Sequence, residues 1–245
     1  PLAGQTRPKQ PAPDSSAQTK AREYFYQGVL AQSSGRTMEA FDLLRHARVL
    51  DPTDPAIAFM LGGNYAQQGM SDRALSLLEE AYGADSTNLT YARALSAGYI
   101  EAGRMQDALH INERLSAADP EDDDVRYRLI QLYARTGELK KGIQLATELQ
   151  KRFQPMPEAY GQLTKMKIQL LALSKDSVAV GREYHAWAAL YPEDRRPYYD
   201  WILHLFQTGG AKEAEKQLAS DVRAGRISSG DATALRVHKY ILQLT

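Results

Sequence analysis

The fold is decided by two adjacent stretches of equal length. They are PAIAFMLGGNYAQQGMSDRALSLLEEAYGADSTN at residues 55–88 and LTYARALSAGYIEAGRMQDALHINERLSAADPED at residues 89–122. Aligned without a gap, they place Gly69 opposite Gly103 and keep small and large apolar residues in matching positions. A fixed period of 20–50 residues is the signature of a chain built from stacked structural repeats. We therefore expect an internal repeat that continues on both sides of this pair.

The same 34-residue spacing extends over residues 21–156. It connects Gly35, Gly69, Gly103 and Gly137; Ala40, Ala74, Ala108 and Gly142; Phe41, Leu75, Leu109 and Ile143; Leu43, Leu77, Ile111 and Leu145; Gln27, Leu61, Leu95 and Leu129; and Ala31, Tyr65, Tyr99 and Tyr133. A further column consists of the small residues Gly28, Gly62 and Ser96, but its fourth position holds the large apolar Ile130. So many columns in one register predict four consecutive copies of one structural unit.

Each unit is predicted to contain two helices. In residues 55–88, Pro55 suits a helix start, where its missing N–H has no cost, and Gly69 suits the left-handed position after a helix. Ser71 or Asp72 is expected to cap the second helix. Apolar residues follow helical spacing in both halves. They are Ile57, Met60, Leu61 and Tyr65 in the first half, and Ala74, Leu75, Leu77, Leu78 and Ala81 in the second.

This pattern resembles the tetratricopeptide repeat (TPR) family, which has 34-residue helix–turn–helix units, small and large columns and a closing proline. The resemblance implies an all-α fold, a right-handed α-α superhelix or solenoid of about six helix pairs plus a C-terminal helix. It also implies a protein-interaction scaffold. The predicted pairs are residues 21–54, 55–88, 89–122, 123–156, 157–194 and 195–227, with the terminal helix in 228–245.

The later pairs depart from the strict period. Pro120 and Pro192 are 72 residues apart, four more than two periods. We assign the extra four residues to a first helix lengthened by about one turn. The predicted helices are 157–174, 177–191, 197–208, 211–223 and 231–244, with Gly209 and Gly210 as a break. The aromatic residues concentrated in this part are predicted to fill the core around the longer helix.

Residues 1–20 are predicted to be a disordered, proline-rich linker, because they lack apolar periodicity. Leu2, Ala3 and Gly4, followed by Gln5, resemble the small-residue end of a secretory signal. This favours a bacterial periplasmic or envelope location, with a plain linker and a cytoplasmic protein as the alternative.

Composition and motifs exclude several kinds of site. The 30 basic residues balance the 30 acidic ones, which argues against nucleic-acid binding, and there is no cysteine for thiolate chemistry or metal binding. No apolar run reaches the length of a membrane span. The run from Glu121 to Asp124 suits a helix N-terminus better than a metal site. The five histidines form no metal-ligand motif, and no nucleotide-binding or nucleophile motif occurs. We predict no catalytic site, cofactor or metal.

The partner is predicted to be a protein or peptide bound on the concave face. In this family the first helix of each pair lines that face. The resemblance therefore implies peptide contacts from Arg22, Phe25, Gln32, Phe59, Gln67, Arg93, Tyr127, Gln131 and Arg135. The alternative for the aromatic members is packing between neighbouring helices. The family's carboxylate clamp, made of lysine and asparagine, is absent because its positions hold Phe25, Val29, Phe59 and Gly63.

Two further expectations concern the ends and the context of the chain. The terminal helix carries one apolar stripe with Val237 and Ile241 and a second with Leu235 and Leu242. An exposed second stripe predicts a homo-oligomer through this helix, or more structure beyond it. The alternative is a helix packed deeply enough for both stripes to contact the sixth helix pair. The alternative to a free-standing scaffold is a repeat module of a larger multidomain sensor or enzyme.

Overall fold

The structure is a computed structural model that describes residues 15–242, with side chains described for residues 15–237. Within this range the chain forms thirteen α-helices and no strand. In chain order these are α1 (Ser15–Ser33), α2 (Thr37–Leu50), α3 (Pro55–Gln67), α4 (Ser71–Ala84), α5 (Leu89–Glu101), α6 (Met105–Ala118), α7 (Asp123–Thr136), α8 (Leu139–Arg152), α9 (Pro157–Leu173), α10 (Ser177–Leu190), α11 (Arg196–Gln207), α12 (Ala211–Arg223) and α13 (Ser229–Leu242). The predicted all-α class, built from consecutive helix pairs, is confirmed.

The chain divides into two compact units, which we call the N-terminal unit (Pro1–Arg126) and the C-terminal unit (Tyr127–Thr245). In the N-terminal unit, α1, α3 and α5 pack against α2, α4 and α6, and α2 and α4 also pack against α3 and α5. In the C-terminal unit the same order links α8, α9, α10, α11 and α12, and α13 packs against α11 and α12.

The turn inside each of the first four pairs forms as the glycine column predicts. Gly69 has φ +72°, a left-handed conformation that glycine adopts without steric cost. The N–H of Met70 then donates to the carbonyl of Tyr65 at 2.9 Å, which closes a Schellman motif. Met70 is also the first residue flanking α4, and no side chain caps that helix. The predicted cap from Ser71 or Asp72 is therefore wrong, because the glycine turn leads directly into the helix.

Helices α3 and α5 are instead capped by residues of one column that was not among the predicted caps. Asp54 accepts hydrogen bonds from the N–H groups of Ala56 and Ile57, at 2.8 and 3.3 Å. Asn88 caps α5 in the same way, 34 residues later. These side chains satisfy N–H groups that a helix start leaves without partners.

Glycine allows close helix contact inside the pairs. A Cβ atom at Gly62 would lie 3.3 Å from the carbonyl oxygen of Ala74 and equally close to Leu77 and Leu78. The large residues beside this contact, such as Leu95 (1% exposed), form the core. This is the small-and-large packing that the columns predict.

Both chain ends depart from the prediction. Helix α1 begins at Ser15, inside the segment predicted to be a linker, so the predicted boundary at residue 21 is too late. The residues from 15 to 20 are only lightly buried, and they extend α1 by backbone hydrogen bonding rather than by burial. Residues 1–14, including the signal-like Leu2 to Gln5, lie outside the described residues.

At the other end, the apolar stripes of α13 are placed differently from our expectation. Leu235 is buried in a cluster with Ile202 and Leu218, whereas Val237 is 53% exposed. The expectation that Leu235 needs cover from another protomer is therefore wrong, because α11 and α12 already cover it. The side chains from 238 onward, with Ile241 and Leu242, lie outside the described side chains.

Candidate peptide-binding surface

The first helices of the N-terminal unit lie side by side. The Asn64 side chain on α3 donates to Gln32 Oε1 on α1 at 3.1 Å. The rings of Phe59 on α3 and Tyr91 on α5 lie 5.0 Å apart. Helices α1, α3 and α5 therefore form one row, and we call its outward surface the first-helix face.

The aromatic residues predicted on this face are shared between surface and core. Phe25 is half-buried and packs against two core clusters, one with Ile57 and one with Leu61. Phe59 is also half-buried and packs against the cluster that contains Leu95. Each ring therefore performs the packing role that the alternative predicted and still exposes part of its surface.

The polar residues predicted on the same face differ in whether their side chains are exposed or already hydrogen-bonded within the protein. Arg22 and Gln67 are exposed. The Gln32 oxygen is already bonded to Asn64. Arg93 donates to the carboxylate of Asp122, which also caps α7 by accepting from Val125 N at 3.1 Å.

Two opposing effects act on the pKa of Asp122, the partner of Arg93. Burial alone raises the pKa of Asp122, but the hydrogen bonds from Arg93 and from Val125 N outweigh burial and hold that pKa below its usual range. The Asp122 carboxylate is therefore ionised at neutral pH. Arg93 pairs with this helix-capping carboxylate, so its guanidinium is less available to a ligand than that of Arg22.

Two small residues lie at the centre of the first-helix face. A Cβ atom at Gly63 would meet no atom within 4 Å, so the space above this part of α3 is open. Ala97, one period later on α5, is exposed. Gly63 and Ala97 thus form a shallow strip, with the Phe59 and Tyr91 rings toward the helix starts and exposed Gln67 and Glu101 toward the helix ends.

In the C-terminal unit, three predicted residues lie on one stripe of α7. Tyr127 is half-buried and packs near Phe153, with 6.3 Å between ring centroids. Gln131 and Arg135 follow at four-residue intervals and are exposed. Their spacing places them on the same side of the helix.

A cleft that was not predicted from the sequence lies elsewhere in the N-terminal unit. It has a volume of about 490 Å³ and is lined by α4 and α6 together with Leu95 and Tyr99 of α5. The Tyr99 hydroxyl donates to Glu79 Oε1 at 3.1 Å, and the Arg104 guanidinium lies 4.4 Å from the Tyr99 ring centroid. Burial, followed by the bond to Glu79, raises the pKa of Tyr99, so its hydroxyl stays protonated at neutral pH. Leu95, Tyr99 and Ile111 of its lining belong to repeat columns, but the periodicity of those columns does not indicate a cleft.

The described part of the chain contains no set of three or more His, Asp or Glu side chains placed to hold a metal ion. Between residues 15 and 242, no helix has the length and apolar character needed to cross a membrane.

Consecutive helix pairs, left-handed glycine turns and small-residue contacts define a helical-repeat protein. The tetratricopeptide repeat family model matches residues 99–165. The chain is a TPR-like helical-repeat protein.

Solved structures show the same fold. A tetratricopeptide repeat protein from Parabacteroides merdae ATCC 43184 is similar with a TM-score of 0.61 at 18% identity, over 92% of this chain and 88% of that one. YrrB, described as a TPR protein with an unusual peptide-binding site, has a TM-score of 0.59 at 16% identity, over 70% of this chain and 87% of its own. MamA AMB-1 has a TM-score of 0.57 at 20% identity, over 70% of this chain and 99% of its own. No curated protein sequence matches the chain.

Proposed function

We propose that the chain is a non-catalytic protein-interaction scaffold that binds an extended peptide or a partner helix on the first-helix face. The observation that carries this proposal is the open space above Gly63, next to exposed Ala97 on the neighbouring helix. Small residues there allow a bound main chain to approach closely, as a glycine permits close backbone contact.

The flanks of this strip suit a peptide. The partly exposed rings of Phe59 and Tyr91 offer apolar area for one side chain, and aromatic residues are enriched in interfaces for this reason. Gln67 offers an amide that can both donate to and accept from a peptide backbone. Arg22 offers an exposed guanidinium for a carboxylate or a carbonyl of the partner.

The predicted contact residues of the C-terminal unit fit the same kind of partner. Gln131 and Arg135 are exposed along α7, and Tyr127 presents part of its ring. The fold supports this proposal too, because repeat proteins use extended helix faces as binding surfaces. YrrB, one of the structural neighbours, is itself described as having a peptide-binding site.

The test uses two glycines that both lie in helices and both have open space where a side chain would begin. Gly63 lies on the first-helix face, whereas Gly83 lies near the end of α4, a second helix. Peptides enriched from a random 12-residue library on the full chain are labelled, and their affinities are measured by fluorescence anisotropy. We expect Gly63→Gln to weaken binding by about tenfold or more, since its side chain fills the strip.

The matched Gly83→Gln variant should change the affinity by less than about twofold, because it adds the same side chain elsewhere. Circular dichroism of both variants checks that the helices are intact. Peptides that bind the Gly63 and Gly83 variants equally well would show that the first-helix face is not the binding surface.

The setting of this scaffold is a separate proposal. The signal-like residues Leu2 to Gln5 support a bacterial envelope adaptor, and the competing proposal is a repeat module within a larger sensor or enzyme. The full gene and the mass of the protein isolated from its native cells separate the two. A secretory segment followed directly by this chain supports the adaptor, and an additional domain supports the module.

A further inference from the structure

The C-terminal unit contains a cleft outside the first-helix face. It has a volume of about 680 Å³ and lies where the start of α9, the end of α10 and the start of α11 meet. None of its lining residues belongs to the surface proposed above.

One wall of this cleft is apolar and held in place. It is formed by Pro157, Leu190, Tyr191 and Pro192. Leu190 is 36% exposed, which is high for a leucine at the end of a packed helix. The Tyr191 ring packs edge-on against Tyr160, with centroids 5.4 Å apart, and its hydroxyl donates to a backbone carbonyl.

The rim of the cleft is acidic. Its charged lining residues are Glu158, Glu193, Asp194 and Arg196, so three carboxylates face one guanidinium. Arg196 donates to both oxygens of Asp194, at 2.9 and 3.1 Å from Nε, and to Glu158 at 2.6 Å. One positive charge is thus shared by two carboxylates, and the exposed Glu193 adds a third negative charge.

The guanidinium of the acidic rim also contacts the core of the unit. The Arg196 guanidinium lies 5.7 Å from the ring of buried Trp187, which fixes it from below. Burial alone raises the pKa of Asp194, but the bonds from Arg196 outweigh it and hold that pKa low. Asp194 is therefore charged at neutral pH, and the cleft keeps an excess of negative charge.

A smaller cleft of about 280 Å³ continues from this one, since Leu190 lines both. Its lining includes Lys151, Gln154 and Tyr160, and Lys151 is its one charged member. An elongated ligand lying across Leu190 would therefore meet carboxylates at one end and a cation at the other. This charge pattern selects both the sign and the direction of the ligand.

We propose that this cleft binds a segment of a partner protein in which an aliphatic side chain stands beside a lysine or arginine. The aliphatic group packs on Leu190, Tyr191 and the two prolines. The cation lies between Glu193 and Glu158, where opposite charge favours it. The site is independent of the first-helix face, so the chain would hold two partners, or two segments of one partner.

The test measures two labelled peptides on the full chain by fluorescence anisotropy at low ionic strength. One is GSKLPQLPESG, with a lysine beside a leucine at one end and a glutamate at the other, and the second peptide replaces the lysine with glutamate. We expect the lysine peptide to bind, to weaken as salt is added because of screening, and to bind at least about tenfold more tightly than the glutamate peptide.

Variants locate the site. Glu193→Lys, at an exposed position in the cleft, should weaken the lysine peptide by about tenfold. Glu213→Lys makes the same charge change at the exposed start of α12 and should alter the affinity by less than about twofold. Leu190→Ser should also weaken binding, and circular dichroism should show intact helices in all three variants.

Three results would overturn the proposal: no binding of the lysine peptide up to about 1 mM, equal binding of both peptides, or equal effects of the Glu193 and Glu213 variants. Gly63→Gln should leave the lysine peptide unaffected. Failure of one site is therefore distinguishable from failure of the other.

Discussion

The N-terminal and C-terminal units reach the same helix-pair fold through different contacts. In the N-terminal unit, glycine and alanine columns meet leucines, as Gly62 does with Leu78. In the C-terminal unit, two glycines face tryptophans instead. A Cβ atom at Gly161 would lie 2.6 Å from Trp187, and one at Gly181 would lie 3.2 Å from Trp201.

Buried amides such as Asn64 and Asn112 occur in the N-terminal unit, and the C-terminal unit adds a nearly buried lysine–glutamate pair. In the C-terminal unit, Lys167 lies between α8 and α10 with only 11% of its side chain exposed, and it pairs with Glu183 at 2.7 Å. Gln150 joins them by accepting from Lys167 at 3.1 Å and donating to Thr164 at 2.8 Å. The comparison teaches that regular columns repeat one simple contact, whereas a lengthened helix such as α9 needs individually matched partners.

The largest expected effect tests the tryptophan contact. Trp187→Ala should destabilise the chain by about 3–5 kcal/mol, because a fully buried ring is removed and Gly161 cannot fill the cavity. Its counterpart in the N-terminal unit, Leu95→Ala, should cost ~2–5 kcal/mol and less than the tryptophan change. Denaturant unfolding followed by circular dichroism measures both. A change within about half a kcal/mol at Leu95 would mean that the repeat register is wrong.

The second prediction compares ion pairs. Glu183→Ala leaves the buried Lys167 charge without its partner and should cost about 3 kcal/mol. Glu80→Ala, which removes the 44% exposed partner of Arg48 in the N-terminal unit, should cost only ~0–1 kcal/mol. Adding Lys167→Met to the Glu183→Ala variant should restore part of the stability, since the unpaired charge disappears. Equal losses of unfolding free energy in the Glu183→Ala and Glu80→Ala variants would show that the buried and the exposed ion pair contribute alike.

The third prediction concerns two glycines within helices and expects opposite signs. Gly161→Ala should destabilise by about 1–3 kcal/mol, because the added methyl group overlaps the Trp187 ring. Gly63→Ala should stabilise by about 0.5–1 kcal/mol, since alanine favours helix and has open space there. Urea midpoints of the two variants, measured side by side, decide the sign. Stabilisation by Gly161→Ala would show that Trp187 moves freely.

The regular part of the fold could be predicted from the sequence, because the residues of one column make equivalent contacts in successive helix pairs. Gly69 predicted the turn, and Pro55 predicted the start of α3. The lengthened helix was predicted to end at residue 174, and α9 ends at Leu173. The start of α1 could not be predicted, because the side chains of residues 15–20 are mostly exposed and show no helical periodicity of apolar residues.

The surface is less predictable because its availability depends on partners far along the chain. Arg93 fits the predicted face by position, but its partner Asp122 lies 29 residues further on. The acidic cleft takes most of its lining from residues 190–196, but Pro157 and Glu158 come from the start of α9, more than about thirty residues earlier, and only the packed structure brings them together. Periodicity shows which helix face a residue occupies, and only the packed structure shows what that residue already binds.

The smallest expected effect is a pH dependence located in the C-terminal unit. His204 stacks on Trp201, with ring centroids 5.9 Å apart, and lies 6.1 Å from the ring of Tyr184. Burial lowers the pKa of His204 below its usual value of 6.5. The unfolded chain therefore takes up a proton at a higher pH than the folded chain does.

The sign of the effect follows from proton linkage. Above about pH 6.5 the imidazole is neutral in both states, and the full stability is present. As the pH falls from 6.5 toward the lower folded pKa, only the unfolded state gains the proton, so the free energy of unfolding decreases. His204→Gln, which keeps a polar neutral group, should flatten this acid-side decline relative to the wild-type chain. The measurement is denaturant unfolding at a series of pH values, together with an NMR titration of the His204 ring. An NMR pKa at or above the usual value of 6.5 would contradict the burial argument, and an unchanged slope in the variant would assign the decline to other groups.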